Sequence, residues 1–142
     1  MLGKIGLIGG GQIGGILALE LCKRPLCRTI AMVDIKPPDM AKGKLLDIAE
    51  GTPTLNVDRK FIGSKSFEAL AGAEMVINTA GVPRTKRPDG SIPTREELLT
   101  TNLKITEAVA NGIKEYCPDA MIISIANPLD AIVYSLNKFL DP

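Results

Sequence analysis

The sequence predicts a doubly wound parallel α/β fold, because short apolar strand patterns alternate with helical patterns along all 142 residues. The run "AMIISIA" supports this prediction, since a near-continuous apolar strand is typical of a sheet that is covered on both faces. No repeat, low-complexity tract or linker breaks the alternation, so residues 1–142 are expected to form one domain. The pattern accommodates about five parallel strands joined by right-handed crossovers.

The individual elements are predicted from apolar spacing and from capping residues. Thr94 and Glu97 form a T-x-x-E capping box ahead of the longest helix, which ends before Pro118. Ser66 can cap the short helix that follows it, and Pro128 suits the first position of the last helix. The predicted strands are 4–8, 29–34, 59–64, 74–81 and 120–126, and the predicted helices before Thr94 are 12–23, 39–50 and 67–72.

The composition excludes several classes of protein. With 17 basic and 16 acidic residues the net charge is +1, which provides no general attraction for nucleic acid or for an anionic membrane. No apolar run approaches the ~20 residues that span a bilayer, and the first residues lack a signal-peptide pattern. Three cysteines without a CxxC pair indicate unreactive thiols in a reducing compartment. We expect a cytoplasmic protein, and an organelle remains open.

A glycine motif lies between the first predicted strand and the first predicted helix. Gly9, Gly11 and Gly14 form G-x-G-x-x-G, in which they allow a tight turn, close approach of a pyrophosphate and close helix packing. Asp34 follows Gly14 by 20 residues, where a carboxylate can accept hydrogen bonds from the adenosine ribose. A plain turn and a helix cap are the alternative interpretations. Together, the motif and its context predict a Rossmann-type domain that binds NAD in preference to NADP.

Two asparagines allow two interpretations each. Asn127 follows the fifth strand, where it is either a helix cap ahead of Pro128 or an amide presented to a ligand. Asn102 lies within a predicted helix despite its low helix propensity, so it either faces solvent or contacts the cofactor. In parallel α/β sheets ligands bind beyond the carboxyl ends of the strands, which is where Asn127 falls.

The segment "RTKRPDGSIPTR", residues 84–95, is a cationic loop with proline and glycine at its centre. A solvated surface loop is the simple interpretation of this segment, and an anion-binding lid is the functional one. Its four cations are Arg84, Lys86, Arg87 and Arg95.

Six segments in sequence order carry a family resemblance: "IGLIGGGQIGG", "MVDI", "GKLLDIAE", "NTAGVPR", "REELLTTNLKI" and "ISIANPLDAIVY". Together they resemble the lactate/malate dehydrogenase family, and most closely its lactate-dehydrogenase-like malate dehydrogenases. The resemblance implies NAD as cofactor and hydride transfer between NAD and a small 2-hydroxy or 2-keto acid. It also implies a homodimer or homotetramer for the intact enzyme and, for malate, a place in the tricarboxylic acid cycle.

The resemblance also assigns roles to individual residues. Arg95 matches a catalytic loop arginine that polarises the substrate carbonyl, and Arg84 matches the residue that pairs with the distal carboxylate of oxaloacetate. Both belong to a substrate loop over residues 82–95, and Asn127 matches a contact to substrate and cofactor. The remaining matches are cofactor-binding positions, with no metal ligand among them: Gly9, Gly11, Gln12, Ile13, Gly14, Asp34, Thr79, Ala80, Gly81, Asn102, Val109 and Ile125.

The chain departs from the family pattern in two ways. Ten residues separate Arg84 from Arg95, whereas malate enzymes of the family have about five. With this longer spacing, Lys86 or Arg87 competes for the role of Arg84. A lactate dehydrogenase with an expanded substrate loop is therefore an alternative. The chain contains no histidine, and the resemblance places the catalytic histidine beyond residue 142. We interpret the chain as the cofactor half of a malate dehydrogenase that is inactive by itself. The alternatives are a stand-alone nucleotide-binding module and, less favoured, an NAD-dependent glycosidase, which would need a metal site.

Overall fold

A computed structural model of the chain describes residues 1–36, 40–86 and 88–141. It contains one sheet of five parallel strands in the order β3-β2-β1-β4-β5, which confirms the predicted fold class. The strands are β1 (Leu2–Ile8), β2 (Cys27–Val33), β3 (Lys60–Ser64), β4 (Met75–Asn78) and β5 (Met121–Ser124). The helices are α1 (Gln12–Lys23), α2 (Met40–Leu55), α3 (Arg95–Tyr116) and α4 (Leu129–Leu140), with a short 3-10 helix at Phe67–Leu70.

Two apolar layers form the core, one on each face of the sheet. On one face α1 and α2 pack on the sheet around Leu7, Ile30 and Leu45. On the other face α3, α4 and the 3-10 helix pack around Val76 and Ile113. Alternating side chains of β1 therefore enter opposite layers, as the pleat of a strand requires.

The prediction that β5 is covered on both faces is wrong for the described residues. Met121 and Ile123 are 64% and 42% exposed, whereas Ile122 packs into the layer with α3 and α4. Within the described residues β5 is the last strand of the sheet, and α1 and α2 pack over β1, β2 and β3 instead.

Several predicted boundaries shift by a few residues. β2 ends at Val33, so Asp34 follows the strand and does not end it, and β4 and β5 are shorter than predicted. Pro128 is the N-cap of α4 and not its first helical residue. The predicted start of α2 at Asp39 lies outside the described residues.

Helix α2 continues to Leu55, beyond its predicted end, and includes Pro53. Pro53 has no N–H to donate to the carbonyl of Ala49, four residues earlier. The hydroxyl of Thr52 donates to that carbonyl instead, at 2.8 Å. The replacement hydrogen bond explains why the helix passes through a proline near its end.

Arg59, in the turn before β3, joins two parts of the first βαβ unit, the end of α1 and the start of β2. Its guanidinium donates to the carbonyl oxygens of Cys22, Arg24 and Cys27 at 3.3, 2.6 and 2.7 Å. The first two carbonyls belong to the end of α1, where helical carbonyls lack intrahelical donors. A single side chain thus caps α1 and fixes the start of β2.

No helix in the described part of the chain is both long and apolar enough to cross a membrane. All three cysteines, Cys22, Cys27 and Cys117, are free and buried. Burial raises the pKa of each of these thiols, which keeps them protonated and unreactive.

Candidate functional site

The carboxyl ends of the strands meet at one edge of the sheet. In the register, Ile8 at the end of β1 pairs with Val33 of β2 and with Asn78 of β4. Backbone hydrogen bonds continue past the strands: the N–H of Gly9 donates to Val33 at 2.9 Å, and the N–H of Ile125 donates to Asn78 at 3.0 Å. The loops after β1, β2, β4 and β5 therefore start from a common level, as ligand binding at this edge requires.

The segment that runs from the end of β1 into the first turn of α1 has room only for glycine at two positions. Gly9 has a φ of 98°, and a Cβ there would lie 2.7 Å from the hydroxyl of Thr79. A Cβ on Gly14 would lie 1.9 Å from the carbonyl oxygen of Gly9, which no relaxation of a side chain could relieve. Helix α1 can therefore approach the strand closely only because position 14 has no side chain.

Gly11 differs from these two glycines because a Cβ there would meet no atom within 4 Å. Gly11 is the N-cap of α1, and no side chain caps this helix end. The N–H groups of the first turn are left for an external acceptor, and the helix dipole favours an anionic one. Bare backbone, open space and uncapped amides form a cradle that fits the pyrophosphate of a dinucleotide.

The loop after β4 is held against this cradle by polar side chains. The hydroxyl of Thr79 lies 3.1 Å from the carbonyl oxygens of both Ile8 and Gly9. The side chain of Asn78 is buried; it donates to the hydroxyl of Ser124 at 3.3 Å and accepts from the N–H of Ala80 at 3.1 Å. These contacts fix the backbone that runs along one side of the cradle.

The carboxylate of Asp34 is oriented by two backbone amides. Oδ2 accepts from the N–H of Gly10 at 2.5 Å, and Oδ1 accepts from the N–H of Lys36 at 2.7 Å. Each oxygen keeps a further lone pair, so the carboxylate can also accept hydrogen bonds from two ribose hydroxyls. The glycine loop and the acidic residue thus form one hydrogen-bonded unit.

Two clefts open beside this unit. The first, of about 380 Å³, lies between the start of α1 and the loops after β4 and β5. The second, of about 270 Å³, is mostly apolar and lies between Asp34 and one face of α3, which suits the adenine end of a dinucleotide. The first cleft is lined by Gly11, Gln12, Ile13, Gly14, Thr79, Gly81, Ile125 and Asn127 of the predicted set, and the second by Gly9, Asp34, Ala80 and Val109.

Asn102 is the predicted cofactor position that lines neither cleft. It is 3% exposed, so the interpretation that it faces solvent is wrong. Its Nδ2 donates to the carbonyl of Asn127 at 2.9 Å and lies 3.4 Å from that of Val82, while its Oδ1 accepts from the N–H of Val82 at 2.8 Å. Asn102 therefore ties the start of the substrate loop and the loop after β5 to helix α3.

Asn127 makes no side-chain cap for α4, so the cap interpretation is wrong as well. Its side chain is exposed beside the first cleft, and its backbone carbonyl is the one that Asn102 contacts.

The described residues of the substrate loop ahead of Arg95 contain no helix or strand, as predicted. Arg84 is exposed, and its Nε donates to the carbonyl of Pro93 at 3.1 Å, which joins the two ends of the loop. Thr94 and Glu97 form the predicted capping box at the start of α3. Arg95 is exposed as the first residue of that helix, and neither arginine lines the two clefts. Arg87, the predicted competitor of Arg84, lies outside the described residues.

A third cavity, of about 300 Å³, lies between the substrate loop and the start of α3. Its lining includes Lys86 and Thr85 of the loop and Leu98 and Thr101 of the helix. Of the two described candidates for the role at the substrate's distal carboxylate, Lys86 therefore faces this cavity, while Arg84 is engaged with Pro93.

Sequence reasoning missed part of the apolar cleft. Ile35, Phe67, Lys104 and Ile105 line it together with Val109. The helical spacing of Ile105 and Val109 was available as a signal, because residues four apart share one face of a helix. Phe67 belongs to the 3-10 helix and lines the cleft because of tertiary packing, which no local pattern in the sequence predicts.

No group of three or more His, Cys, Asp or Glu residues that could hold a metal ion occurs among the residues that the structure describes.

Comparison with known proteins identifies a family for the chain. Residues 3–141 match the family model for lactate/malate dehydrogenase, NAD binding domain. A malate dehydrogenase of Xanthobacter autotrophicus is 46% identical over 135 residues, which are 95% of this chain and 40% of that protein.

Solved structures of the same family superimpose closely on the chain. Malate dehydrogenase of Cryptosporidium parvum matches with a TM-score of 0.86 at 39% identity, over 99% of this chain and 42% of that chain. A lactate dehydrogenase of the same organism, in complex with lactic acid and NAD, matches with a TM-score of 0.86 at 36% identity, over 99% and 42% of the two chains. This chain thus spans roughly two fifths of the length of these relatives. From the motif, the fold and these matches together, the chain belongs to the lactate/malate dehydrogenase family, in which it corresponds to the NAD binding domain.

Proposed function

We propose that residues 1–142 form the NAD-binding domain of an enzyme that transfers a hydride between NAD and the malate/oxaloacetate pair. The observation that carries the proposal is the hydrogen-bonded unit of the glycine cradle and Asp34. The cradle offers uncapped amides for the pyrophosphate, and the carboxylate offers lone pairs for the ribose. Bound NAD supplies the acceptor for the hydride, and the residues of this chain bind and orient it.

Cofactor selectivity follows from the charge of Asp34. A carboxylate beside the ribose attracts its hydroxyl groups and repels a 2′-phosphate, so NAD is preferred to NADP. Isothermal titration of the folded chain with both nucleotides tests this proposal. We expect saturable heat with NAD and much weaker binding of NADP. In Asp34→Ser the ratio of the NAD affinity to the NADP affinity should fall. Absence of NAD binding by folded protein contradicts the proposed function.

Substrate binding is assigned to the loop over residues 82–95 and to the loop after β5. Arg95 polarises the substrate carbonyl, Asn127 contacts substrate and nicotinamide ribose, and Arg84 pairs with the distal carboxylate. A guanidinium suits these tasks because it stays charged and can make two hydrogen bonds to one carboxylate. Arg84 must first exchange its bond to the Pro93 carbonyl for one to the substrate. Malate dehydrogenases from two organisms among the relatives support this choice of substrate.

A lactate dehydrogenase is the second candidate, since a lactate dehydrogenase of Cryptosporidium parvum is nearly as similar in sequence as the malate enzyme. Arg84→Gln in the full-length enzyme separates the two candidates. We expect oxaloacetate reduction to fall by at least tenfold in kcat/KM, with pyruvate reduction little changed, because only oxaloacetate has the second carboxylate. Equal losses on both substrates would exclude Arg84 as the discriminating residue, and Lys86→Gln is then the next variant.

The 142-residue chain alone is proposed to bind NAD without turnover. It contains no histidine, the side chain whose ordinary pKa lies closest to neutral pH. Malate oxidation by the isolated chain would contradict this. We also propose a cytoplasmic location, which the buried free thiols support. The intact enzyme is proposed to be a dimer or a tetramer, which the family supports.

A further inference from the structure

The ammonium group of Lys44 lies beside the glycine cradle although the residue belongs to α2. Its Nζ donates to the carbonyl oxygen of Gly11 at 2.7 Å. Its Cδ and Nζ lie 3.3 and 3.4 Å from the position that a Cβ on Gly15 would occupy. The lysine side chain therefore lies across the first turn of α1 and places its charge next to the uncapped helix end.

The bond to Gly11 is not needed to complete the hydrogen bonding of α1. The same carbonyl already accepts the N–H of Gly15, at 3.0 Å, as part of the helix. Removing Lys44 would leave no unsatisfied backbone group, so the structural reason for a lysine here is weak.

The charge of Lys44 also has no acidic partner within the described residues. The salt bridges in that part of the chain both involve Glu20, at the other end of α1. An ammonium group has three donors, and the carbonyl of Gly11 occupies one of them. A partly buried cation with two open donors beside free amides is suited to an anion.

We propose that Lys44 is a positioning and affinity residue for the pyrophosphate of NAD, reaching the phosphate loop from α2. It fixes the carbonyl of Gly11 and adds a positive charge to the amides of the first turn of α1. This inference rests on the proposed NAD binding and adds to it a residue outside the glycine motif.

The charge acts only on ligands that carry phosphate groups. Lys44→Met should therefore weaken binding of NAD and of ADP but leave binding of adenosine unchanged. Because the side chain is partly exposed, we expect a loss of about three- to fivefold in affinity at low ionic strength. Added salt screens the interaction, so the loss should shrink at high ionic strength.

The experiment titrates the 142-residue chain with NAD, ADP and adenosine, following amide chemical shifts by NMR at low and at high salt. Lys44→Arg keeps the charge and should retain most of the affinity. Lys42→Met is the matched control, because it removes the same charge from the same helix at an exposed side chain. Thermal unfolding of each variant establishes that it is folded.

The possible results separate the inference from the proposed function. If the unaltered chain binds NAD and Lys44→Met binds it equally well, Lys44 has no role and the inference is wrong. An equal loss for adenosine means that the substitution damages the cleft as a whole, which also overturns it. If the unaltered chain binds neither NAD nor ADP, the proposed function itself fails.

Discussion

The glycine cradle and the substrate loop are both loops at the carboxyl edge of one sheet, yet they are held in opposite ways. In the cradle, contacts from neighbouring strands and loops reach consecutive residues, so that Gly9 and Gly10 both donate to fixed acceptors. The described residues of the substrate loop are exposed through its middle and are held mainly at its two ends. The part that meets an invariant cofactor group is thus held along its backbone, whereas the part assigned to the substrate is held mainly at its two ends.

This difference predicts which substitutions act on the fold and which act on a loop alone. Changes in the cradle should affect binding and stability together, because its backbone is part of the packing of α1. Changes in the loop should act at its ends, and least at its centre. The expected effects therefore decrease from the cradle to the loop tip.

Gly14→Ala should have the largest effect. Its Cβ would lie 1.9 Å from the carbonyl oxygen of Gly9, so α1 must move away from the strand. We expect a loss of about 3 kcal/mol in the free energy of unfolding, and loss of NAD binding. Denaturant unfolding and calorimetric titration measure these two effects.

Gly43→Ala is the control for that substitution, because no atom lies within 4 Å of the new methyl group and the position is inside α2. It should raise stability by about 0.5–1 kcal/mol. Retained NAD affinity in Gly14→Ala would refute the view that the cradle requires this close approach.

Asn102→Leu should have the next largest effect, since it removes the side chain that joins the loop start to α3. The N–H of Val82 and the carbonyl of Asn127 lose their partner in a partly buried setting, which costs about 1–3 kcal/mol. Hydrogen exchange at the Val82 amide should accelerate by more than the global loss of stability explains.

The exposed Asn111 of the same helix provides the matched control, Asn111→Leu, which should change stability by less than about 0.5 kcal/mol. If both variants lose the same stability, Asn102 does not serve as a clamp.

Thr94→Ala should have a smaller effect at the far end of the loop. It removes one half of the capping box, in which the Thr94 hydroxyl accepts from the N–H of Glu97 at 3.1 Å. We expect a loss of about 1 kcal/mol in chemical denaturation. Thr100→Ala, at an exposed position further along α3, should raise stability by roughly 0.5 kcal/mol because alanine has the higher helix propensity, and a loss there equal to that of Thr94→Ala would argue against the cap.

The smallest expected effect is that of pH on the stability of the turn at the loop tip. The hydroxyl and the N–H of Ser91 both donate to the carboxylate of Asp89, at 2.7 and 2.9 Å, and these bonds lower the pKa of that carboxyl. The ionised form therefore stabilises the turn at neutral pH, and this contribution is lost as pH falls through the lowered pKa.

An NMR titration that follows the Ser91 amide shift measures that pKa. Its midpoint should lie below the usual range for aspartate, and in Asp89→Asn the shift should no longer titrate. A midpoint in the usual range would show that the turn is not formed in solution.

The order of strands and helices was predictable from the sequence, and twelve of the thirteen residues predicted to bind the cofactor border the two clefts. The fold prediction succeeded because glycine spacing and apolar alternation are local signals of a parallel α/β unit. The role of Asn102 was not predictable, since its partners are 20 and 25 residues away and depend on packing. The position of Lys44 beside the cradle was not predictable either, because its acceptor Gly11 lies 33 residues earlier in the chain.

The contacts of Arg59 set a lower limit on the size of a fragment that can fold on its own. A peptide that ends with α2, at Leu55, contains the glycine cradle and Asp34 but lacks the donor for the carbonyls of Cys22, Arg24 and Cys27. It also lacks β3, which pairs with β2 along its length. A fragment that keeps the cap of its first helix must therefore include Arg59, and one that also keeps the full pairing of β2 with β3 must extend through Ser64.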